Sequence, residues 1–345
     1  MEKDNQTIVI AEAGVNHNGK IDLAKKLIEE AAKAKADYIK FQTFKAERLA
    51  SENTAKTKYQ IKNSNDPNQS QFNMLKDLEL TENDHFKLIN YCKEKDIKFL
   101  SSAFDVEGLN FLNTLSLDFF KIPSGEITNF PYLKTISKFE RPVILSTGMC
   151  SMKEIKNALD ILTSHKLKKC DITILHCNTD YPTNYNDVNL QLMNLIKNEF
   201  NIKVGYSDHT LGIEVPIAAV AMGASVIEKH FTLDKSLPGP DHKASLNPLE
   251  LSEMIKSIRN IEKSVSNKKS KSPTKSELEN IKFIRKSLHL NKNLKKGDII
   301  RENDLITLRP ATGINPMDWN KVINRVLNND INKGNPLKWK DLNNE

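Results

Sequence analysis

The chain has 345 residues, the length of two ordinary domains or of one α/β barrel with an appendage. Hydrophobic residues make up 39% and charged residues 28%, and no stretch reaches the ~18 consecutive apolar residues that a bilayer span needs, which excludes a helical membrane protein. The net charge of +7 resides in residues 261–345, where 18 Lys and Arg stand against 10 Asp and Glu; these lysines alternate with Asn, Asp and Glu, aromatic residues are sparse, and no nucleic-acid footprint is expected.

In chain order, Met1 to Gln6 carries no basic segment followed by a separate apolar one, so no secretory signal is expected and the location expected is cytoplasmic. Eight short apolar runs then alternate with stretches of helical periodicity: Ile8–Ala11, Tyr38–Phe41, Ile97–Leu100, Phe119–Ile122, Val143–Leu145, Ile172–Leu175, Lys203–Tyr206 and Ser225–Glu228. The spacing predicts helices between them, among them Ile21–Ala34 and Thr81–Lys95, the latter opening on Thr81 with Asp84 as capping partner. Eight strand–helix units over about 250 residues fit a (β/α)8 TIM barrel. The rival is an open doubly wound sheet, but Glu12–Gly19 lacks the GxGxxG spacing of such a fold.

Residues 45–80, rich in Lys, Asn, Gln and Ser, interrupt the second unit, and a loop of that length after a barrel strand is expected to cover a site. Ser264–Ser276 has linker composition. The expected division is a barrel over 1–263, a linker over 264–280 and a small β-rich domain over 281–345, which holds both Trp319 and Trp339. In that domain Leu294-Lys-Lys-Gly297 is echoed by Ile331-Asn-Lys-Gly334. Cys92, Cys150, Cys170 and Cys177 lie far apart, with no CxxC pair and no disulfide framework.

In a barrel the side chains at the C-terminal ends of the strands converge on one face. Those ends read Glu12; Lys40 and Gln42; Ser101 and Ser102; Lys121, Ser124 and Glu126; Ser146; Asn178 and Thr179; Ser207, Asp208 and His209; and His230. Lysines set among large apolar residues, with serines and the amides beside Gly125 and Gly148, are what a phosphate demands. His209 and His230 end consecutive strands and suit a divalent metal completed by carboxylate and water. Glu12 and Glu126 are the acid/base candidates, because burial raises a carboxyl pKa and a neighbouring cation lowers it. Asp241, in a stiff Pro-Gly-Pro loop, is a partner for a sugar hydroxyl or amide. His176 reads equally well as a satisfied core histidine, and His17 and His242 as solvated loop side chains or ligand contacts.

Taken together, Glu12-Ala-Gly-Val-Asn-His-Asn-Gly19, Lys40-Phe-Gln-Thr-Phe44, Lys121-Ile-Pro-Ser-Gly-Glu126, Leu145-Ser-Thr-Gly-Met149, His176-Cys-Asn-Thr-Asp-Tyr-Pro182, Gly205-Tyr-Ser-Asp-His209, Glu228-Lys-His-Phe-Thr232 and Gly239-Pro-Asp241 resemble the bacterial sialic acid (nonulosonate) synthases. Arg309-Pro-Ala-Thr-Gly313 resembles the signature loop of that family's C-terminal SAF, or antifreeze-like, domain, a β-clip module. The resemblance implies a transferase that condenses phosphoenolpyruvate with an open-chain N-acetylated amino sugar, releasing phosphate, with a divalent metal: Mn²⁺ first, Mg²⁺ or Co²⁺ as alternatives. It further implies that Lys40, Lys121, Ser124, Ser146 and Ser207 hold phosphoenolpyruvate, and that Glu12, Gln42, Glu126, Tyr181 and Asp241 face the sugar or the reacting centre. Lys121, Glu12 and Glu126 are then the catalytic set. Ser102, Asn178 and Thr179 join the substrate contacts, His209 and His230 hold the metal, and Arg309 comes from the partner of a domain-swapped homodimer.

The chain departs from the commonest family pattern at Ser101-Ser102-Ala103-Phe104, where a proline is usual, and at Ala311-Thr312. The asparagine position of the sixth strand is ambiguous between Asn178 and Thr179. N-acetylmannosamine, giving N-acetylneuraminate, is the first reading of the sugar. The alternative is 2,4-diacetamido-2,4,6-trideoxymannose, giving N,N'-diacetyllegionaminate. A metal-dependent aldolase and a carbohydrate-binding protein are the readings outside the synthases.

Overall fold

The computed structural model describes residues 6–63, 69–265 and 270–343; the first five residues, read above for a signal, and residues 266–269 of the expected linker lie outside the described residues. The chain divides into two compact units, Met1–Ser266 and Asn267–Glu345.

In the first unit eight parallel strands follow one another: β1 (Ile8–Gly14), β2 (Tyr38–Thr43), β3 (Lys98–Ala103), β4 (Phe120–Ile122), β5 (Val143–Ser146), β6 (Ile172–Cys177), β7 (Lys203–Asp208) and β8 (Val226–His230). They hydrogen-bond in the order β3-β2-β1-β8-β7-β6-β5-β4, and β3 packs against β4, so the sheet closes on itself as a (β/α)8 barrel rather than an open doubly wound sheet. α1 (Ile21–Lys33) follows β1; α2 (Ala46–Leu49), α3 (Lys58–Asn63), α4 (Gln71–Asp77) and α5 (Glu82–Glu94) lie between β2 and β3. α6 (Val106–Thr114), α7 (Phe130–Ile136) and α8 (Met152–Leu162) follow β3, β4 and β5. α9 (Tyr185–Val188) and α10 (Gln191–Phe200) follow β6, α11 (Glu214–Ala221) follows β7 and α12 (Pro248–Ser264) follows β8.

Local chemistry accounts for these elements. α1 buries Ala24, Leu27, Ile28 and Ala31, the three- and four-residue spacing of one helical face. Thr81 and Asp84 close a capping box at the start of α5, and Asn247 with Glu250 does the same for α12.

Strand alternation sorts the side chains between two cores. Those facing outward, such as Val9, Ala11, Ile39 and Phe41, pack under the helices. Those facing inward, including Ile10, Tyr38, Leu100, Phe119, Ile144, Leu175 and Val226, fill the lower barrel. Gly205 of β7 faces this plug, and a Cβ there would stand 2.3 Å from the Val226 carbonyl oxygen and 2.7 Å from Leu175 Cδ2, so only glycine fits. The plug is a solid floor, and whatever stands on it opens only toward the C-terminal ends of the strands.

The strands run beyond the apolar runs that announce them. β1 continues to Gly14, β3 to Ala103, β7 to Asp208 and β8 to His230. Glu12, Ser101, Ser102, Asp208 and His230 therefore belong to the strands rather than to the loops that follow them.

The second unit holds α13 (Lys275–Ile284), the antiparallel pair β9 (Ser287–Leu290) and β10 (Leu305–Leu308), and α14 (Trp319–Val322). Its own core includes Leu288, Leu290, Ile300, Val322, Leu327 and Leu337. The internal echo is structural: Leu294 and Ile331 form an antiparallel bridge, with Leu294 N donating to Ile331 O at 3.0 Å and Ile331 N to Leu294 O at 2.9 Å. Trp319 packs against that core, whereas Trp339 is half exposed.

Candidate functional site

Directly above the apolar plug lies a layer of buried charge. Lys40 Nζ stands 2.7 Å from Glu12 Oε2 and 3.8 Å from Glu228 Oε2, and donates to Ser102 Oγ at 3.2 Å. Lys121 Nζ stands 3.1 Å from Glu228 Oε1, which also accepts from Ser207 Oγ at 3.3 Å. Gln42 Nε2 donates to the other oxygen of Glu12 at 3.3 Å. These groups floor a cavity of ≈ 410 Å³, also lined by Ser124, Glu126, Ser146, Thr179, Tyr181 and Asp241.

Burial and pairing divide the titratable groups. Burial pushes Glu12 up to about 7, against the pull of Lys40. It also works to lower Lys40, but Glu12 and Glu228 outweigh it and hold that ammonium above its ordinary range. Glu228 is likewise disfavoured by burial yet held below the carboxylate range by Lys121 and Lys40. Lys121 is lowered by burial despite Glu228. Burial pushes Asp241 up to about 6 and raises Glu126, whose Oε2 accepts from Asn129 Nδ2 at 2.6 Å. The floor thus holds a lysine pair bridged by one ionised carboxylate, with carboxyls able to carry a proton near neutrality beside it.

His209 and His230 stand on the next level, with ring centroids 5.5 Å apart. The His209 Nδ1–H donates to the Asn178 carbonyl, which can only accept, so in the neutral ring Nε2 keeps its lone pair; burial opposes the charged ring, but Cys177 and this carbonyl outweigh it and hold the imidazole above its ordinary range. His230 Nδ1 is buried with no hydrogen-bond partner, 3.8 Å from Asp241 Oδ2, and burial holds this imidazole well below its ordinary pKa and neutral. Two imidazoles with free lone pairs fit a divalent ion. No group of three or more His, Cys, Asp or Glu that could hold a metal occurs among the described residues, so water or substrate oxygens would complete the sphere.

The 45–80 insertion covers the cavity, as its length predicts. Tyr59 of α3 stacks on Tyr181 at 5.0 Å, and Tyr181 on His209 at 4.1 Å. Asn63 Nδ2 donates to the Pro240 carbonyl at 2.9 Å, tying α3 to the loop beyond β8. Met74 of α4 and Leu78 just past it pack with Val15 and Phe44, and Leu49, Leu75 and Phe104 join them. Ser146 Oγ and Thr179 Oγ1 line the same cavity, both buried and without a protein hydrogen-bond partner.

Residues 27–270 match the NeuB family and residues 285–343 the SAF domain. The chain belongs to the NeuB family of nonulosonate synthases. It is 51% identical over 322 residues, 93% of this chain and 96% of the relative, to the N,N'-diacetyllegionaminic acid synthase of Campylobacter jejuni. It is 45% identical to the enzyme of the same name from Legionella pneumophila, covering 97% of this chain and 94% of that one. Among solved structures it resembles the N-acetylneuraminic acid synthetase of Leptospira borgpetersenii, with a TM-score of 0.70 and 36% identity over 80% of this chain and 90% of that chain. This synthase is therefore an enzyme of the transferase class.

The structure gathers Glu12, Lys40, Gln42, Ser102, Lys121, Ser124, Glu126, Ser146, Thr179, Tyr181, Ser207, His209, His230 and Asp241 around one cavity. Asn178 is turned away: its amide donates to the Asp187 carbonyl at 2.9 Å, and Thr179 lines the cavity instead. Arg309 lies exposed just past β10 in the second unit. His176 is a satisfied core histidine, with Nε2 on the Val188 carbonyl at 2.7 Å. His17 and His242 are neither solvated nor in the cavity; both are buried, His17 Nδ1 accepting from Gly19 N at 3.0 Å and His242 Nδ1 meeting Thr232 Oγ1 at 2.7 Å. Their loops fold inward over β1 and β8, which loop composition does not reveal.

Sequence reasoning missed Glu228, although its two-residue spacing from His230 puts both on one face of β8. Tyr59 and the apolar side chains of α4 carried no such signal, since nothing local says which face of a lid meets the barrel.

Proposed function

We propose that this synthase condenses phosphoenolpyruvate with open-chain 2,4-diacetamido-2,4,6-trideoxymannose, giving N,N'-diacetyllegionaminate and phosphate. The carrying observation is the lysine pair bridged by Glu228 beneath two metal-competent imidazoles. The near full-length identity of 51% and 45% to two enzymes named for that product supports this sugar over N-acetylmannosamine, the first reading of the sequence.

In this reading Lys40 and Lys121 neutralise the phosphate and carboxylate of phosphoenolpyruvate, and Ser124, Ser146 and Ser207 donate hydrogen bonds to them. A divalent metal held by His209 and His230, Mn²⁺ being the first choice, supplies Lewis-acid polarisation of the sugar aldehyde when bound. C3 of phosphoenolpyruvate forms the new bond to the aldehyde carbon. Glu12, which carries a proton up to about pH 7, delivers it to the aldehyde oxygen, which becomes a hydroxyl. Water adds at C2 and passes one proton to Glu126; the C2–O bond to phosphate then breaks as the ketone forms, and the remaining hydroxyl proton leaves with the phosphate. Gln42, Tyr181 and Asp241 orient the sugar, and the lid keeps bulk water out.

The test is phosphate release from phosphoenolpyruvate and Mn²⁺ with the diacetamido sugar, with N-acetylmannosamine and with neither. Release dependent on the diacetamido sugar supports the reading. Release with N-acetylmannosamine alone returns the sugar to the first reading, and no release with either sugar removes the synthase chemistry.

A further inference from the structure

The cavity has two chemically different ends. Its charged end stands on the barrel floor, around Lys40, Lys121 and Glu228, with the imidazoles of β7 and β8 above. Its other end lies over the mouths of β1 to β3. Val15 follows β1, Phe104 follows β3, and Leu49, Met74, Leu75 and Leu78 descend from the insertion to meet them.

The Gln60 carbonyl oxygen beside this wall is already engaged. Gln60 Oε1 accepts both Thr57 N at 2.9 Å and Gln71 Nε2 at 3.0 Å. A hydroxymethyl on the far end of the sugar would lose its water against these hydrocarbon side chains. A methyl loses nothing and buries apolar surface.

We infer that the Leu49–Met74–Leu75–Leu78–Phe104 wall receives the C6 methyl of the sugar and selects a 6-deoxy substrate. The inference rests on the proposed condensation: the aldehyde end must reach the imidazoles, so the opposite end of the open chain extends away from them, under the lid. Leu75 is the residue to vary, since it lines the cavity while remaining only partly buried, whereas Met74 and Leu78 hold α4 to the barrel.

The experiment compares kcat/KM for 2,4-diacetamido-2,4,6-trideoxymannose with that for its congener bearing a 6-hydroxyl, at saturating phosphoenolpyruvate and Mn²⁺. The native enzyme is expected to favour the 6-deoxy sugar by roughly 10- to 100-fold, the range a hydrophobic pocket achieves against one added hydroxyl. Leu75→Gln should cut that ratio about tenfold by giving the hydroxyl a partner. Leu75→Ala, which adds no polar group and loosens the wall, should lower it less and serves if the glutamine variant fails to fold. Equal use of both sugars by the native enzyme overturns the inference and leaves the synthase reading intact. So does an unchanged ratio in the folded variants. Release of phosphate with neither sugar overturns the inference together with the condensation on which it rests.

Discussion

Asp208 and Lys229 face each other across β7 and β8 as a fully buried ion pair, one residue before His209 and His230 respectively. Strand alternation turns the two histidines inward and this pair outward, so it clamps the strands directly behind the imidazoles. Lys229 Nζ also donates to the Thr210 carbonyl at 2.7 Å, and Asp208 Oδ1 accepts from Thr210 N at 3.0 Å, which holds the turn after His209. Lys229→Met leaves Asp208 buried without its cation and should cost about 3–5 kcal/mol in chemical denaturation. The double variant Asp208→Leu, Lys229→Met should recover much of that loss, because neither charge is then stranded. Equal stability of the single and double variants would show that the pair carries no such penalty.

Glu228 joins the two floor lysines, and its removal should be felt in catalysis. Glu228→Gln keeps the shape and deletes the charge that holds both ammonium groups in place. Losing one member of a buried charge pair costs about 2–5 kcal/mol, so kcat/KM for phosphoenolpyruvate should fall roughly 30-fold or more. Steady-state kinetics with a parallel thermal melt separates this from unfolding; a folded variant of native activity would remove Glu228 from the site.

Tyr59 is the lid's aromatic contact with Tyr181, which itself lies on His209. An aromatic pair contributes about 0.5–1.5 kcal/mol beyond its buried area. Tyr59→Ala should raise KM for the sugar about 2- to 12-fold and change KM for phosphoenolpyruvate much less, since the phosphate groups lie on the floor. A larger effect on phosphoenolpyruvate than on sugar would contradict the division of the cavity into two ends.

Acid should destabilise the barrel through His17. Burial lowers its pKa to about 4, with His85 adding to the shift, whereas the unfolded chain takes up that proton at about 6.5. Its contribution is therefore fully present above pH 6.5 and is lost as pH falls from 6.5 toward 4, at about 1.4 kcal/mol per pH unit and about 3 kcal/mol in all. Denaturation midpoints measured from pH 7.5 to 4.5 should fall more steeply in the native chain than in a folded His17→Gln variant. Parallel slopes would mean that His17 titrates normally.

Much of this was legible in the sequence because it is local. The eight apolar runs, the Thr81–Asp84 box and the echoed Gly297 and Gly334 turns each depend on neighbours a few residues away, and each appears in the structure. Lys40 and Lys121 stood out because an ammonium inside an apolar strand needs a partner. Which partner it finds is not local. Glu228 lies more than 100 residues from Lys121 in the chain, and barrel closure alone brings them to 3.1 Å. The strand ends were read short for the same reason: Glu12, Ser102 and His230 look like loop residues by polarity, yet pairing with the neighbouring strands keeps them in the ladder.

The sequence by itself determined the barrel, the small second unit and most of the chemistry-bearing side chains, since periodicity, caps and motif spacing are carried by contiguous residues. Tertiary structure alone decided that Thr179 and not Asn178 enters the cavity, that His17 and His242 are buried outside it, and that the insertion lays an apolar wall over β1 to β3. Those outcomes depend on which faces meet once distant segments pack, and a side chain's partner across a barrel is set by closure of the sheet rather than by its neighbours in the chain.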